Sequence, residues 1–186
     1  MMAVIPNLKH LVAAFATVVV FCLPAAASDE RLDTMLAQLS QAEPGKARKL
    51  AAEIEMEWSR SGSPAMNLLL QRGEDAIEAG EFDAAIEHLS ALIDHAPRFA
   101  EGWHLRSVAF FKQERYGLAL SDIEQALALE PRHFNVLYGL GVMMDEMDQY
   151  ALAHEAFTRV LAIHPHHENV SSARERVARK MGGAEL

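Results

Sequence analysis

Thiols are almost missing from this chain. Its single cysteine, Cys22, sits in an apolar run near the N-terminus. The rest of the chain therefore has no cysteine nucleophile, disulfide framework or thiolate metal site, and it suits an oxidising compartment. Positive charge is also scarce. Seventeen Lys and Arg face 26 Asp and Glu, giving a formal net charge of −9. Phosphate backbones would be repelled, which argues against nucleic acid as the main partner. No glycine-rich phosphate loop, paired nucleophile and base, or helical metal motif occurs, so no enzyme class is indicated. Aromatics make up only 7% of the chain. What is abundant is alanine, leucine and glutamate, a helix-forming mixture with enough apolar residues for a core.

The N-terminus stands apart. Lys9 precedes an apolar run from Leu11 to Leu23, followed by Pro24 and the small residues Ala25 and Ala27. This order is that of a secretory signal peptide over residues 1–27. The run is shorter than the about 20 residues of a membrane span, and an uncleaved anchor is the alternative. Val19-Val20-Phe21 lack the small residue a lipoprotein cleavage box needs before Cys22. Cleavage after Ala27 would remove Lys9 and no acid, taking the formal charge from −9 to −10.

The remainder repeats itself. Pro97, Pro131 and Pro165 lie 34 residues apart, and so do Ala85, Ala119 and Ala153. Phe82, Tyr116 and Tyr150 share a register, as do Leu89, Ile123 and Phe157, and Leu92, Ala126 and Val160. Upstream, Leu69, Trp103 and Leu137 align, followed by Gly73, Ser107 and Gly141. Small residues beside large ones suit two antiparallel helices at close approach. The proline ends the second helix and starts the next unit. Arg106 can reach Asp122 within its unit. The third unit has Leu140 and Ala156 in those registers, so both charges disappear together. Arg72 has no such partner in register, and Glu87 or an acid of the N-terminal helices could serve it.

These registers resemble the tetratricopeptide repeat family, with Trp103, Tyr116, Ala119, Ala126 and Pro131 closest to its pattern. The resemblance implies an all-α, right-handed superhelical solenoid of three hairpins. They occupy residues 66–99, 100–133 and 134–167, within a repeat region of 63–167. Residues 28–62 carry two amphipathic segments whose stripes are Leu32-Met35-Leu36-Leu39 and Leu50-Ile54-Trp58. This pair is expected to be a degenerate repeat capping the array, with a separate oligomerisation hairpin as the alternative. Residues 168–186 are expected to form a solvating end helix with a frayed tail.

In this family the first helices line a concave face. Carried over register by register, that face holds Leu70, Glu74 and Ile77 from the first unit, with Asn67 beside them. The second unit gives Glu101, His104, Val108, Phe111 and Lys112. The third gives Asn135, Tyr138, Val142 and Asp145, followed by Glu146. The family's carboxylate-gripping members use lysine, arginine and asparagine here. Lys112 and the two asparagines are too few, so a C-terminal carboxylate ligand is disfavoured. An apolar strip edged with acids suits an amphipathic helix or apolar peptide, preferably with basic flanks. The alternative is that the chain's own C-terminal helix covers the strip.

The implied function is an exported adaptor or assembly factor of the bacterial periplasm or cell envelope that binds a protein or peptide. A chaperone-like holder of unfolded exported chains is the alternative. No cofactor, metal, catalysis or lasting membrane anchor is expected. His133 and the His164, His166 and His167 group are read as exposed turn histidines, and most acids as solvated helix-face charge. Core packing is expected for Met144; Met143 and Met147 complete a methionine patch that could serve as a soft binding surface.

Overall fold

The computed structural model describes residues 23–183. Most of the segment read as a signal peptide, including Lys9 and Cys22, lies outside the described residues. The described residues form helices and no strand: α1 (Leu23–Leu39), α2 (Pro44–Trp58), α3 (Pro64–Glu78), α4 (Phe82–His95), α5 (Ala100–Lys112), α6 (Tyr116–Leu129), α7 (Phe134–Glu146), α8 (Tyr150–Ile163) and α9 (Val170–Gly183). Three hairpins, α3–α4, α5–α6 and α7–α8, stack in sequence as an α-solenoid. The first helices α3, α5 and α7 touch in series and so form its inner layer.

Each hairpin turns in the same way. Gly80, Glu114 and Asp148, spaced by the repeat, all adopt left-handed backbone with φ of 74°, 58° and 58°. The following amide reaches back five residues: Glu81 to the Ala76 carbonyl, Arg115 to Phe110, and Gln149 to Met144. This is the Schellman closure, which satisfies helix-end carbonyls and favours glycine at the left-handed position. Only the first hairpin has glycine there. Between repeats, Ala96, Glu130 and His164 leave helical backbone in the same way just before the prolines, with φ of −135°, −134° and −128°, so each second helix stops at a fixed place.

The interior follows the small-beside-large pattern. Ala85, Ala119, Ala126 and Ala153 are wholly buried. A β-carbon on Gly73 would meet the Leu89 side chain at 2.6 Å, and one on Gly141 would meet the Phe157 ring at 2.4 Å. In the middle repeat the paired residues are Ser107 and Ile123, both buried. Arg106 binds Asp122 bidentately, at 2.8 Å through Nε and 2.9 Å through Nη2, and donates to Ser90 Oγ at 3.0 Å. Its guanidinium also lies over the Trp103 ring. Such a pair fixes register more than it stabilises, because both charges leave water. Arg72 is exposed. Met143 and Met144 are core residues, while Met147 is largely exposed.

The N-terminal pair departs from expectation. It does not stack on the first repeat as a cap, and α2 makes no extended contact with α3. Instead the pair folds back against the α6–α7 turn, the start of α7 and the end of α8. The Trp58 indole stacks on the His133 ring, with centroids 3.9 Å apart, and tilts against Phe134. Arg132 bonds Asp33, Asn135 donates to Glu55 at 2.9 Å, and Arg48 pairs with Glu168 at 3.2 Å. Both apolar stripes are thereby buried, with Leu39, Ala47 and Ile54 fully so. The link is Ser59–Ser63, where Gly62 has φ 77° and Asn67 Oδ1 accepts bonds from the Ser61 amide and hydroxyl. At the other end α9 packs along α8, burying Val170, Ala173 and Val177.

Two substitutions test this packing. Gly141→Ala should lower stability by about 1–2 kcal/mol, because overpacking against the enclosed Phe157 ring exceeds the about 1 kcal/mol that alanine gains in a helix. A chemical denaturation curve reads it, and a stabilised variant would count against the close approach. Glu114→Gly should raise stability by a few tenths to about 1 kcal/mol by relieving the left-handed side chain. An unchanged or lowered Tm would contradict that.

Candidate functional site

The inner face is built from one side of α3, α5 and α7. Ile77, Val108, Phe111, Tyr138 and Val142 are half-buried along it, and Leu70 is buried. Lys112 is exposed at its edge. Phe111 packs on Tyr116, and Tyr138 packs on Phe157 and His167. The apolar members keep part of their surface in solvent, which is what a binding strip requires.

The polar members are less available. Asp145 is buried and holds Arg176 at 2.9 Å and Lys180 at 2.6 Å, both from α9. Burial alone would raise its pKa; these two cations outweigh that and keep it below the ordinary carboxylate value. Asn135 is engaged by Glu55 of α2. Glu101 is buried, accepting from His104 Nδ1 at 3.1 Å and from His133 Nε2 at 2.7 Å. Burial opposes ionisation of Glu101, but the two histidines overcome it and hold the carboxyl well below its usual range. Burial lowers the His133 pKa, against the opposing pull of the Glu101 carboxylate. Glu74, half-buried in α3, is pushed up by burial and then by the charge of Glu101. Asp122 is buried in the ion pair expected with Arg106, whereas Glu101 and Asp145, expected on the open inner face, are buried and already partnered.

The turn histidines are likewise internal. His133 is 1% exposed and His164 7%, correcting the expectation that they are exposed. His167 is half-buried and His166 exposed. His164 and Phe134 meet edge-on, with His167 beside both. The α1–α2 hairpin and the α8–α9 turn enclose an open cleft of about 370 Å³ lined by Arg48, Ala51, Glu55, His164, His166 and His167. Sequence reasoning placed these histidines at the right turns. It missed their burial because the covering segment comes from about 80 residues or more earlier, and no local pattern marks that contact.

Comparison with known proteins agrees with this architecture. Two tetratricopeptide repeat models match residues 70–123 and 110–177, together more than half the chain. A TPR repeat-containing protein of Rhizobium etli is 40% identical over 116 residues, which is 62% of this chain and 57% of that relative's length. Among solved structures, the first TPR of Spaghetti (RPAP3) bound to HSP90 peptide SRMEEVD superposes with a TM-score of 0.62 at 20% identity. That match covers 64% of this chain and 95% of the other. The MamA protein gives a TM-score of 0.59 at 18% identity, covering 85% and 84% of the two chains.

The buried histidines set a pH limit. Burial, then repulsion from His167 and His166, lowers the His164 pKa to about 4. In the unfolded chain it returns to about 6.5, so between these values the unfolded state binds more protons. The stability that neutral His164 contributes is full above pH of about 6.5 and is lost as pH falls towards 4. His164→Phe, which keeps an aromatic ring against Phe134, should flatten the acid-side fall in Tm. An identical fall in both proteins would refute the assignment.

Proposed function

Because the chain belongs to the tetratricopeptide repeat family, we propose that it is a protein–protein interaction module whose inner face binds a peptide or helix. The observation that carries this reading is the partly exposed apolar strip Ile77–Val108–Phe111–Tyr138–Val142, contributed in turn by three successive first helices. A helix or extended segment laid across it would bury alternate apolar side chains.

The chemistry of the rim points to the kind of segment. The first TPR of Spaghetti noted above is bound to a peptide that ends Glu-Glu-Val-Asp. Here the strip is bordered by Glu74 and Glu146, Asp145 is already occupied by α9, and Lys112 is the inward-register lysine. An apolar or amphipathic segment with basic flanks is therefore the better complement, and an acidic tail would meet like charge. The signal-peptide pattern of residues 1–27 supports an exported protein. With it goes work in the bacterial periplasm or cell envelope, as an adaptor or assembly factor, and no catalytic role.

Phe111→Ala combined with Tyr138→Ala tests the strip. The double variant should keep its helical circular dichroism and lose at least about tenfold in affinity for the wild-type partner, as expected when two aromatic anchors are removed. Crosslinking in the native envelope identifies that partner. One or two captured proteins would support an adaptor, and many unrelated ones a holder of unfolded chains. Retained partner binding by a folded double variant would eliminate this face as the site.

A further inference from the structure

Glu101 and His104 stand one turn apart at the start of α5, and the α6–α7 turn brings His133 against them. One carboxylate oxygen meets His104 Nδ1 at 3.1 Å and the other meets His133 Nε2 at 2.7 Å. One donor atom from each of the three side chains falls within 4.8 Å of the others. An ion about 2.0–2.2 Å from each donor in tetrahedral geometry needs donors about 3.3–3.6 Å apart. The contacts at 3.1 and 2.7 Å are somewhat shorter, because the donors now bond one another directly.

Charge points the same way. The Glu101 carboxylate is nearly shut off from water, and among the described residues its ion-pair partners are these two histidines, with no arginine or lysine. The nearest strongly basic side chain on the same helix, Arg106, is committed to Asp122 and Ser90. Glu74 adds negative potential from α3. The two imidazoles already offset the burial of this carboxylate, and a divalent ion held by all three side chains would do so with a permanent charge. Two imidazoles with one carboxylate form a borderline donor set suited to zinc.

We propose that Glu101, His104 and His133 bind one divalent transition-metal ion of the zinc type, with a fourth position left to water or a partner's donor. This assignment does not rest on peptide binding at the inner face. It also links the ion to the N-terminal hairpin, because the His133 ring that ligates the metal is the ring on which Trp58 stacks. Occupancy would fix the orientation of His133 and strengthen docking of α1–α2.

The test uses the full chain, purified without a histidine tag and stripped with chelator. Zinc chloride is titrated by calorimetry in competition with a weak chelator, and cobalt chloride is followed by its visible absorption. One equivalent should bind per chain, with four-coordinate cobalt bands and a change in Trp58 emission measured in a Trp103→Phe background. His104→Ala and Glu101→Gln should each weaken binding at least about tenfold. His133→Phe, which keeps a ring beneath Trp58, should do the same in a folded protein. His166→Ala with His167→Ala should leave binding unchanged. Absence of saturable binding would overturn the proposal. So would binding that survives the first three variants, or that vanishes with the His166 and His167 pair.

Discussion

Close approach of paired helices over a small residue is the constraint on which this molecule depends. Gly73 against Leu89, Ser107 against Ile123 and Gly141 against Phe157 are three forms of one contact. As the second-helix residue grows from Leu or Ile to Phe, its neighbour must stay small enough to receive it. That contact sets the distance within each hairpin, and the buried alanines at 85, 119 and 153 support it from the facing helix. With spacing fixed and each turn closed by the same backbone geometry, the three first helices must lie side by side. The inner face follows from packing; no inward-pointing residue is needed to create it.

On that frame the helices flanking the repeats bury their apolar faces in two different ways. At the C-terminal end α9 occupies the place of another first helix, covering α8 with Val170, Ala173 and Val177 and reaching Asp145 with Arg176 and Lys180. At the other end the solution is different. The α1–α2 hairpin has two apolar stripes, and it buries them against the turns between repeats, where Phe134, His133, His164 and His167 form an aromatic surface. A hydrophobic hairpin and a row of imidazoles thus shield each other from water. This arrangement leaves the outer flank of α3 without a helix from the N-terminal pair.

The acids show how position within such a fold changes the character of a residue. Glutamates and aspartates outnumber basic residues, and most lie on solvated faces. Three do not. Asp122 holds the middle repeat in register through Arg106, Asp145 ties the third repeat to α9, and Glu101 gathers two histidines beneath the hairpin. Each replaces a generic surface charge with a directed contact between elements. Glu101 differs from the other two in having imidazole partners in place of permanent cations, and that difference makes its surroundings chemically distinctive.

Much of this was legible in one dimension because a repeat writes its tertiary contacts locally. The 34-residue period of Ala, Pro, aromatic and small–large positions determined the helix pairs, their turns and their stacking, since each unit touches mainly its neighbours. The Arg106–Asp122 pair could be read because both charges vanish together in the third unit. What only the tertiary structure decided lies outside that nearest-neighbour rule. The docking of the α1–α2 hairpin onto turns in the middle and last repeats joins residues such as Trp58 with His133 and Arg48 with Glu168, far apart in the chain, and no register relates them. The same contact buried His133 and His164, which their turn location alone suggested were exposed. It also laid Trp58 over the His133 ring, because the position of a side chain across a non-repeating interface depends on shape and burial, which periodicity does not encode.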